Sequence, residues 1–360
     1  MTAFNELLTS HPAIALAAGG FIIGILFGAL TQRTGFCAMG AVADVVTMGD
    51  WRRFRAWLLA AAVAILGTHG LALAGAVELH HSMYLAPRVN WLGHLAGGTL
   101  FGAGMVLAGG CASRNLVRAG AGDLRSLITL LVTGLFALVA GGGLLGPIRS
   151  AIEETTAITL SAESQSLPDV VGDLIGSSGP ASSAFALLIV GALTTFAFTS
   201  APFRATPRSW LSGLGVGLLV VLGWALTGLL FDEMADRIQR PQSLSFVRPT
   251  AEAIEWLERA TGIGAPGFGA ASVFGVLCGS ALMSVAGNEF RPATFAGTAD
   301  TLRHLGGAAL MGTGGVMALG CSIGQGVTGI STLALGSFLS FAAIVAGAVL
   351  GLKALERWAG

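Results

Sequence analysis

Three cysteines are the residues of this chain best placed to do chemistry. Cys37, Cys111 and Cys321 each lie beside glycines at the end of a hydrophobic run, in Gly35-Phe36-Cys37-Ala38-Met39-Gly40, Gly109-Gly110-Cys111-Ala112-Ser113-Arg114-Asn115 and Gly320-Cys321-Ser322-Ile323-Gly324-Gln325-Gly326. A thiol in such a place acts either as a nucleophile, once deprotonated, or as a weak S–H donor while it stays neutral. The chain has no C-x-x-C pair and no His or Lys next to these cysteines, which is the usual way to lower a thiol pKa. A free Cys titrates near 8.5 and higher in apolar surroundings, so the neutral donor form is expected. The fourth cysteine, Cys278, sits in the middle of an apolar run, VFGVLCGSALM, and reads as a small core residue.

The elements that carry these cysteines are repeated. Residues 92–111 (LGHLAGGTLFGAGMVLAGGC) recur 210 positions later as residues 302–321 (LRHLGGAALMGTGGVMALGC), with eleven of twenty positions identical. The same offset takes Phe36 onto Phe246 in Ser245-Phe246-Val247, so Val247 stands where its mate is Cys37. A unit with two special loops has thus been used twice. Repeated halves around a shared centre are a way for membrane proteins to build a pathway.

Composition sets the class. Charged residues make up 11% of the chain, against about 25% in soluble domains, and the mean hydropathy is +0.78. The 54 glycines favour close helix approach and broken helices. Spans of about 17 to 25 apolar residues are placed near 13–31, 57–77, 92–110, 124–146, 183–200, 210–231, 269–287, 304–320 and 331–352. The first twelve residues lack a basic stretch and carry Glu6, so the first span is expected to stay in the membrane. If each Cys loop dips in and returns to its own side, thirteen of the nineteen Arg and Lys share one face, and Arg88, Arg149, Arg237, Arg240, Arg248 and Arg259 take the other. The positive-inside rule then puts the amino terminus outside and the carboxyl terminus in the cytoplasm.

The expected fold is an all-α polytopic membrane protein of about nine transmembrane helices, a single membrane domain over 1–360. Residues 13–146 and 210–352 form the two halves, and the extra span 183–200 between them inverts the second relative to the first. Four re-entrant loops then meet from both faces in an hourglass, because backbone at that depth is tolerable only where it is buried or lines a pathway.

The three cysteine motifs, set within about nine spans, resemble the YeeE/YedE family of sulfur-compound transporters. The resemblance covers most of the chain and implies an hourglass fold, thiosulfate uptake and dependence on a cysteine in three of the loops; by motif these are Cys37, Cys111 and Cys321. Cys278 matches no loop. The chemistry agrees: thiosulfate is a dianion with one soft sulfur, and neutral thiols hold it weakly enough to pass it on, as conduction through successive weak sites requires. Gly40, Gly110, Gly320 and Gly324 would allow close backbone approach, Gln325 and Asn115 are amides that either donate to the ion or cap short helices, and Arg248 either attracts anions at the outer mouth or anchors at the interface. His94 and His304 hold equivalent repeat positions and read first as helix-end packing. No catalytic residue, metal or cofactor is expected, and no nucleic-acid partner.

Driving force limits the mechanism. Bringing a dianion into a cell at 100 mV, inside negative, costs about 4.6 kcal/mol. Asp44, Asp50, Asp123 and Asp300 fall in loops or loop helices, so none is expected to relay protons within a span, and no Walker motif is present. The expected solution is a bacterial inner-membrane pathway drained by cytoplasmic chemistry, for which the resemblance supplies a small TusA-like sulfur-carrier protein. Two alternatives share these residues: a membrane thiol enzyme that forms a persulfide from thiosulfate, and a transporter of a selenium or other sulfur compound. The stretch 51–57 (WRRFRAW) reads as a cytoplasmic interfacial belt. Residues 147–182 and 232–267 read as outer segments, with a short amphipathic helix at 251–259.

Overall fold

A computed structural model describes residues 11–175, 181–231 and 240–359. The leading residues 1–10 and Arg237, to which expectations were attached above, lie outside the described residues. Helices account for 77% of the structure. In chain order they are α1 (Pro12–Thr34), α2 (Ala38–Ala43, continued by a wide turn Asp44–Met48), α3 (Arg52–Leu73), α4 (Gly98–Leu107, entered through a wide turn Gly93–Gly97), α5 (Ala112–Gly120), α6 (Leu124–Gly141), α7 (Gly146–Thr156), α8 (Leu167–Ile175), α9 (Ala181–Phe198), α10 (Ala201–Arg204), α11 (Pro207–Leu229), α12 (Arg248–Ile263), α13 (Phe268–Ala286), α14 (Thr298–Met317) and α15 (Leu335–Ala359). A wide helical turn Gly324–Gly329 and a tight one Ile330–Thr332 separate α14 from α15. The strands Arg88–Val89 and Ile158–Thr159 pair antiparallel and tie two connecting segments together.

Among the described residues, seven helical stretches are long and apolar enough to cross a membrane, which makes this a polytopic membrane protein. The other two expected spans are also helical, but Ala184–Phe198 is shorter and α14 is diluted by Asp300, Arg303, five glycines and three threonines. Their ends follow local chemistry. Pro12 and Pro207 open α1 and α11 at positions where a missing N–H costs nothing. Gly35, at φ 72°, closes α1 with its N–H on the Thr31 carbonyl, a backbone conformation that glycine adopts freely. The outer helix expected at 251–259 is longer, beginning at the Val247 cap.

Close packing depends on small residues where helices cross. On α4 and α14, a Cβ at Gly104 would sit 2.7 Å from the Gly307 carbonyl oxygen, and one at Gly307 would sit 2.7 Å from that of Gly104. One turn and more away, Gly97 and Gly314 meet in the same reciprocal manner, at 2.7 and 2.6 Å. The main packing partners exchange when the halves are exchanged. Thus α1 packs on α13 as α11 packs on α3, α4 packs on α15 as α14 packs on α6, and α4 packs on its own mate α14. Loop helices obey the same rule, since α2 lies on α3 and α15 while α12 lies on α13 and α6.

The basic aromatic stretch divides in two. Trp51 is 44% exposed at the start of α3, edge-on to Phe54, as an interfacial residue should be. Trp57 instead is buried, stacked between Phe36 at 5.7 Å and Phe341 at 5.0 Å. One helical turn and a half therefore separates an interfacial ring from a core ring that backs the Cys37 loop.

Candidate functional site

Each of the four repeated loops turns into a helix at the same point. Cys37 is the residue before α2, Cys111 before α5 and Val247 before α12, and Cys321 precedes the turn Gly324–Gly329 by two residues. Cys37 and Cys111 are extended there, with φ and ψ of −160° and 127°, and of −71° and 170°. This conformation leaves the sulfur facing the free N–H groups of the first turn. The Gly40 N–H points at Cys37 Sγ at 3.4 Å, and the Gly324 N–H at Cys321 Sγ at 3.4 Å. Cys111 holds the same place before α5, but its sulfur makes no cap hydrogen bond and lies instead beside the Ser113 hydroxyl. So the repeat sets three cysteines at the starts of its loop helices, two of them as N-caps, and all three are buried free thiols.

The three thiols lie near one another. Cys37 and Cys111 are direct neighbours, and Cys321 lies within electrostatic range of Cys111. Hydroxyls flank them: Ser113 Oγ is 3.2 Å from Cys111 Sγ, Ser322 lies beside Cys111, and Ser245 Oγ is 3.9 Å from Cys321 Sγ. The Phe246 N–H also faces Cys321. The loop without a cysteine therefore contributes Ser245 and a backbone N–H to the thiol of its opposite number. Val247 itself is fully buried, and a Cβ on Gly315 would come within 2.9 Å of both its methyl groups. At this fourth place the repeat holds a sealed apolar contact instead of a thiol.

The two amides brace the loops. Asn115 Nδ2 donates to the Gly110 carbonyl at 2.8 Å, and Gln325 Nε2 to the Ala318 carbonyl at 2.5 Å. Both amide oxygens are buried without a partner. Of the expected glycines, Gly40 lies against Arg53, Gly110 against the stem of Arg114, Gly320 against Gln325 and Gly324 against Ser245. Each permits a contact that a side chain would obstruct. His94 and His304 are helix-end packing residues: His94 Nδ1 is 2.7 Å from Ser340 Oγ, and His304 Nδ1 is 2.8 Å from the Asp300 carbonyl.

Beyond Cys321 the structure opens. A cavity of about 140 Å³ is lined by Tyr84, Arg149, Ser245, Arg248, Glu252 and Gly320 among others. It reaches Leu319 and Gly320, just before Cys321, and Ser245, which faces that thiol. Arg248 is exposed and paired with Glu252 at 3.0 Å, and Arg149 is paired with Glu153 at 2.6 Å. Burial holds the Tyr84 phenol well above its usual range, with the nearby Cys321 acting in the same sense, so Tyr84 keeps its proton. Cys278 is exposed on α13 and away from these thiols, which corrects its reading as a core residue; helix periodicity in an all-apolar span does not separate a lipid-facing side from a packed one.

Sequence reasoning missed Ser113, Ser245, Ser322 and Tyr84. Ser245 had a signal, since the offset of 210 places it opposite Gly35 at the head of a special loop. Tyr84 had none, because it arrives from a connection between spans.

Comparison with known proteins agrees with the geometry. Residues 33–350 match the family described as sulphur transport. The chain is 30% identical to a thiosulfate transporter, TsuA, of Escherichia coli K12, over 87% of each chain. It is 26% identical to the thiosulfate transporter TsuA of Spirochaeta thermophila, over 89% of this chain and 93% of that one. A shorter match, 31% over 126 residues, is to the probable transporter YedE of E. coli.

Proposed function

Because the chain belongs to the sulphur-transport family, we propose that it carries thiosulfate across the bacterial inner membrane, inward, along Cys37, Cys111 and Cys321. The observation that carries this reading is the group of three buried free thiols at the starts of three loop helices. The vestibule next to Cys321 is the outer mouth. Arg248 there draws the anion locally, within the roughly 8–10 Å that screening allows. The ion then passes from Cys321 to the Cys111–Cys37 pair, its soft sulfur held by S–H donors and its oxygens by Ser245, Ser113 and loop N–H groups. Gln325 and Asn115 keep the loops rigid while it does so.

The exchange of packing partners between the halves supports an inverted repeat. Residues 13–146 form one half and 210–352 the other, with 183–200 as the span between them. An odd number of intervening spans turns the second half over, so that its loops enter from the opposite face. The amino terminus is then outside and the carboxyl terminus in the cytoplasm. Downhill flow is maintained by removal of sulfur inside, a role suited to a TusA-like carrier protein.

The test is uptake of sulfur-labelled thiosulfate into proteoliposomes. Cys37→Ala, Cys111→Ala and Cys321→Ala should each lose most of the uptake, and Cys278→Ala should retain it. Equal uptake in all four variants would overturn the thiol pathway. Accumulation of a persulfide on the wild-type protein with release of sulfite, detected by mass analysis, would favour thiol enzymology instead.

A further inference from the structure

The guanidinium of Arg114 has no counterpart in the chemistry so far. It sits three residues after Cys111, on the first turn of α5, close enough to Cys37 for their charges to interact. Its Nη1 is shut off from solvent and has no hydrogen-bond partner, and among the described residues no carboxylate pairs with it. Two acids of the adjoining loops are engaged elsewhere. Asp44 pairs with Arg53 at 3.3 Å, and Asp123 pairs with Arg118 at 2.5 Å and Arg125 at 3.2 Å. Arg118, one turn further along the same helix, is thus neutralised while Arg114 is not. A sealed, unpaired donor on a cation is costly to maintain, and an anion that visits the site removes that cost.

The repeat sharpens the point. The mate of Arg114 at the offset of 210 is Gly324, where even a Cβ would stand 2.5 Å from Ser245 Oγ. No side chain fits in the second half at the place where the first half carries a cation. Gly110 adds a constraint, since a Cβ there would stand 3.3 Å from Arg114 Cγ, so the stem is held against the Gly-Cys turn. Cys37 and Cys111 therefore have a cation without a carboxylate partner beside them, whereas the arginines of the cavity next to Cys321 and Ser245 are ion-paired.

We propose that Arg114 is the oxyanion-binding residue of the pathway, gripping the oxygen end of a thiosulfate-class dianion while Cys37 and Cys111 hold its soft sulfur. This rests on the transport reading above. A planar guanidinium offers paired donors to two oxygens at once, which thiols do not. The pairing gives two-ended recognition: an ion without oxygens lacks the Arg114 contact, and an ion without a soft sulfur lacks the thiol contact. It also places the strongest stop beside Cys37 and Cys111 only.

The experiment measures equilibrium binding of sulfur-labelled thiosulfate to the purified full chain, with melting temperature and proteoliposome uptake recorded on the same preparations. Arg114→Gln should weaken binding by about tenfold, the value of a charge-assisted contact, with melting unchanged. Arg114→Lys, which keeps the charge but not the paired donors, should recover only part of that loss, a graded response that a purely structural role would not give, and the Asp44-paired Arg53→Gln should bind within about twofold of wild type. If Arg114→Gln does not fold, Arg114→Met keeps the stem and is read in the same way. Wild-type binding and uptake with Arg114→Gln within twofold would overturn this inference and leave the transport reading intact. Absence of both in folded wild type would overturn the transport reading and this inference with it.

Discussion

Asp123 illustrates how much one side chain can hold at a loop between two membrane helices. Its carboxylate accepts from the Arg125 and Ser126 N–H groups at 3.1 and 3.4 Å and pairs with Arg118 and Arg125, joining the end of α5 to the start of α6. Burial pushes its pKa up, but the hydrogen bond from Arg125 and the charges of Arg118 and Arg125 prevail and hold it below the usual carboxylate value. A lowered native pKa means the stabilisation is complete above about pH 3.9 and disappears as pH falls through the native value. Asp123→Asn should therefore lower stability at pH 7 by about 1–2 kcal/mol. Melting curves of the detergent-purified protein should show that gap closing below about pH 4, and a gap constant down to pH 3 would contradict the assignment. At the same scale, the three loop cysteines were legible from the sequence because each ends an apolar run beside glycine. Ser245 and Arg114 were not singled out, because their importance lies in what they face across the fold.

Among the elements, the turn that delivers Cys321 repeats the one that delivers Cys111 with one difference. Gly109 has φ 67° and its mate Leu319 has φ 58°, and a left-handed residue with a side chain costs about 1–2 kcal/mol. Leu319→Gly should raise the melting temperature, provided the half-buried Leu319 side chain contributes less than that, and a drop in melting would show the reverse. The α4–α14 crossing has the opposite requirement. Gly307→Val would drive two methyl groups into the Gly104 backbone, 2.7 Å from where even its Cβ would lie, and helices in contact through backbone have no flexible atom to give way. A loss of about 3 kcal/mol or more is expected, seen as poor yield and reduced uptake; normal melting would mean that the helices can part. Seven of the nine expected spans could be placed from hydropathy, since each needs a run of fixed length. The wide turns Gly93–Gly97 and Gly324–Gly329 could not, because they use the same small and apolar residues as a regular helix.

For the whole molecule the decisive quantity is charge moved. A dianion crossing without a coupled ion is electrogenic, and an inside-negative potential of 100 mV opposes its entry by about 4.6 kcal/mol. Uptake into proteoliposomes should fall when a potassium diffusion potential is set inside negative and rise when it is set inside positive. Accumulation against the negative potential would show a coupling ion that the residues above do not provide. The two mouths should also differ, since the vestibule beside Cys321 holds Arg248 and Arg149 already paired with Glu252 and Glu153, whereas the Cys37 end holds an unpaired Arg114.

The sequence by itself determined the class, the helices, the repeated halves and the three thiols, because chain hydropathy, span length and internal identity are all properties read along one dimension. It also determined the family, through motifs local to each cysteine. Only the tertiary structure decided that Cys37 and Cys111 are neighbours, that Val247 seals the fourth loop against Gly315, that Trp57 is core and Cys278 surface, and that Arg114, unlike Arg118 on the same helix, pairs with no carboxylate among the described residues. Those facts depend on which residues from distant spans meet, and in a chain this apolar every face of a helix reads alike until its neighbours are known.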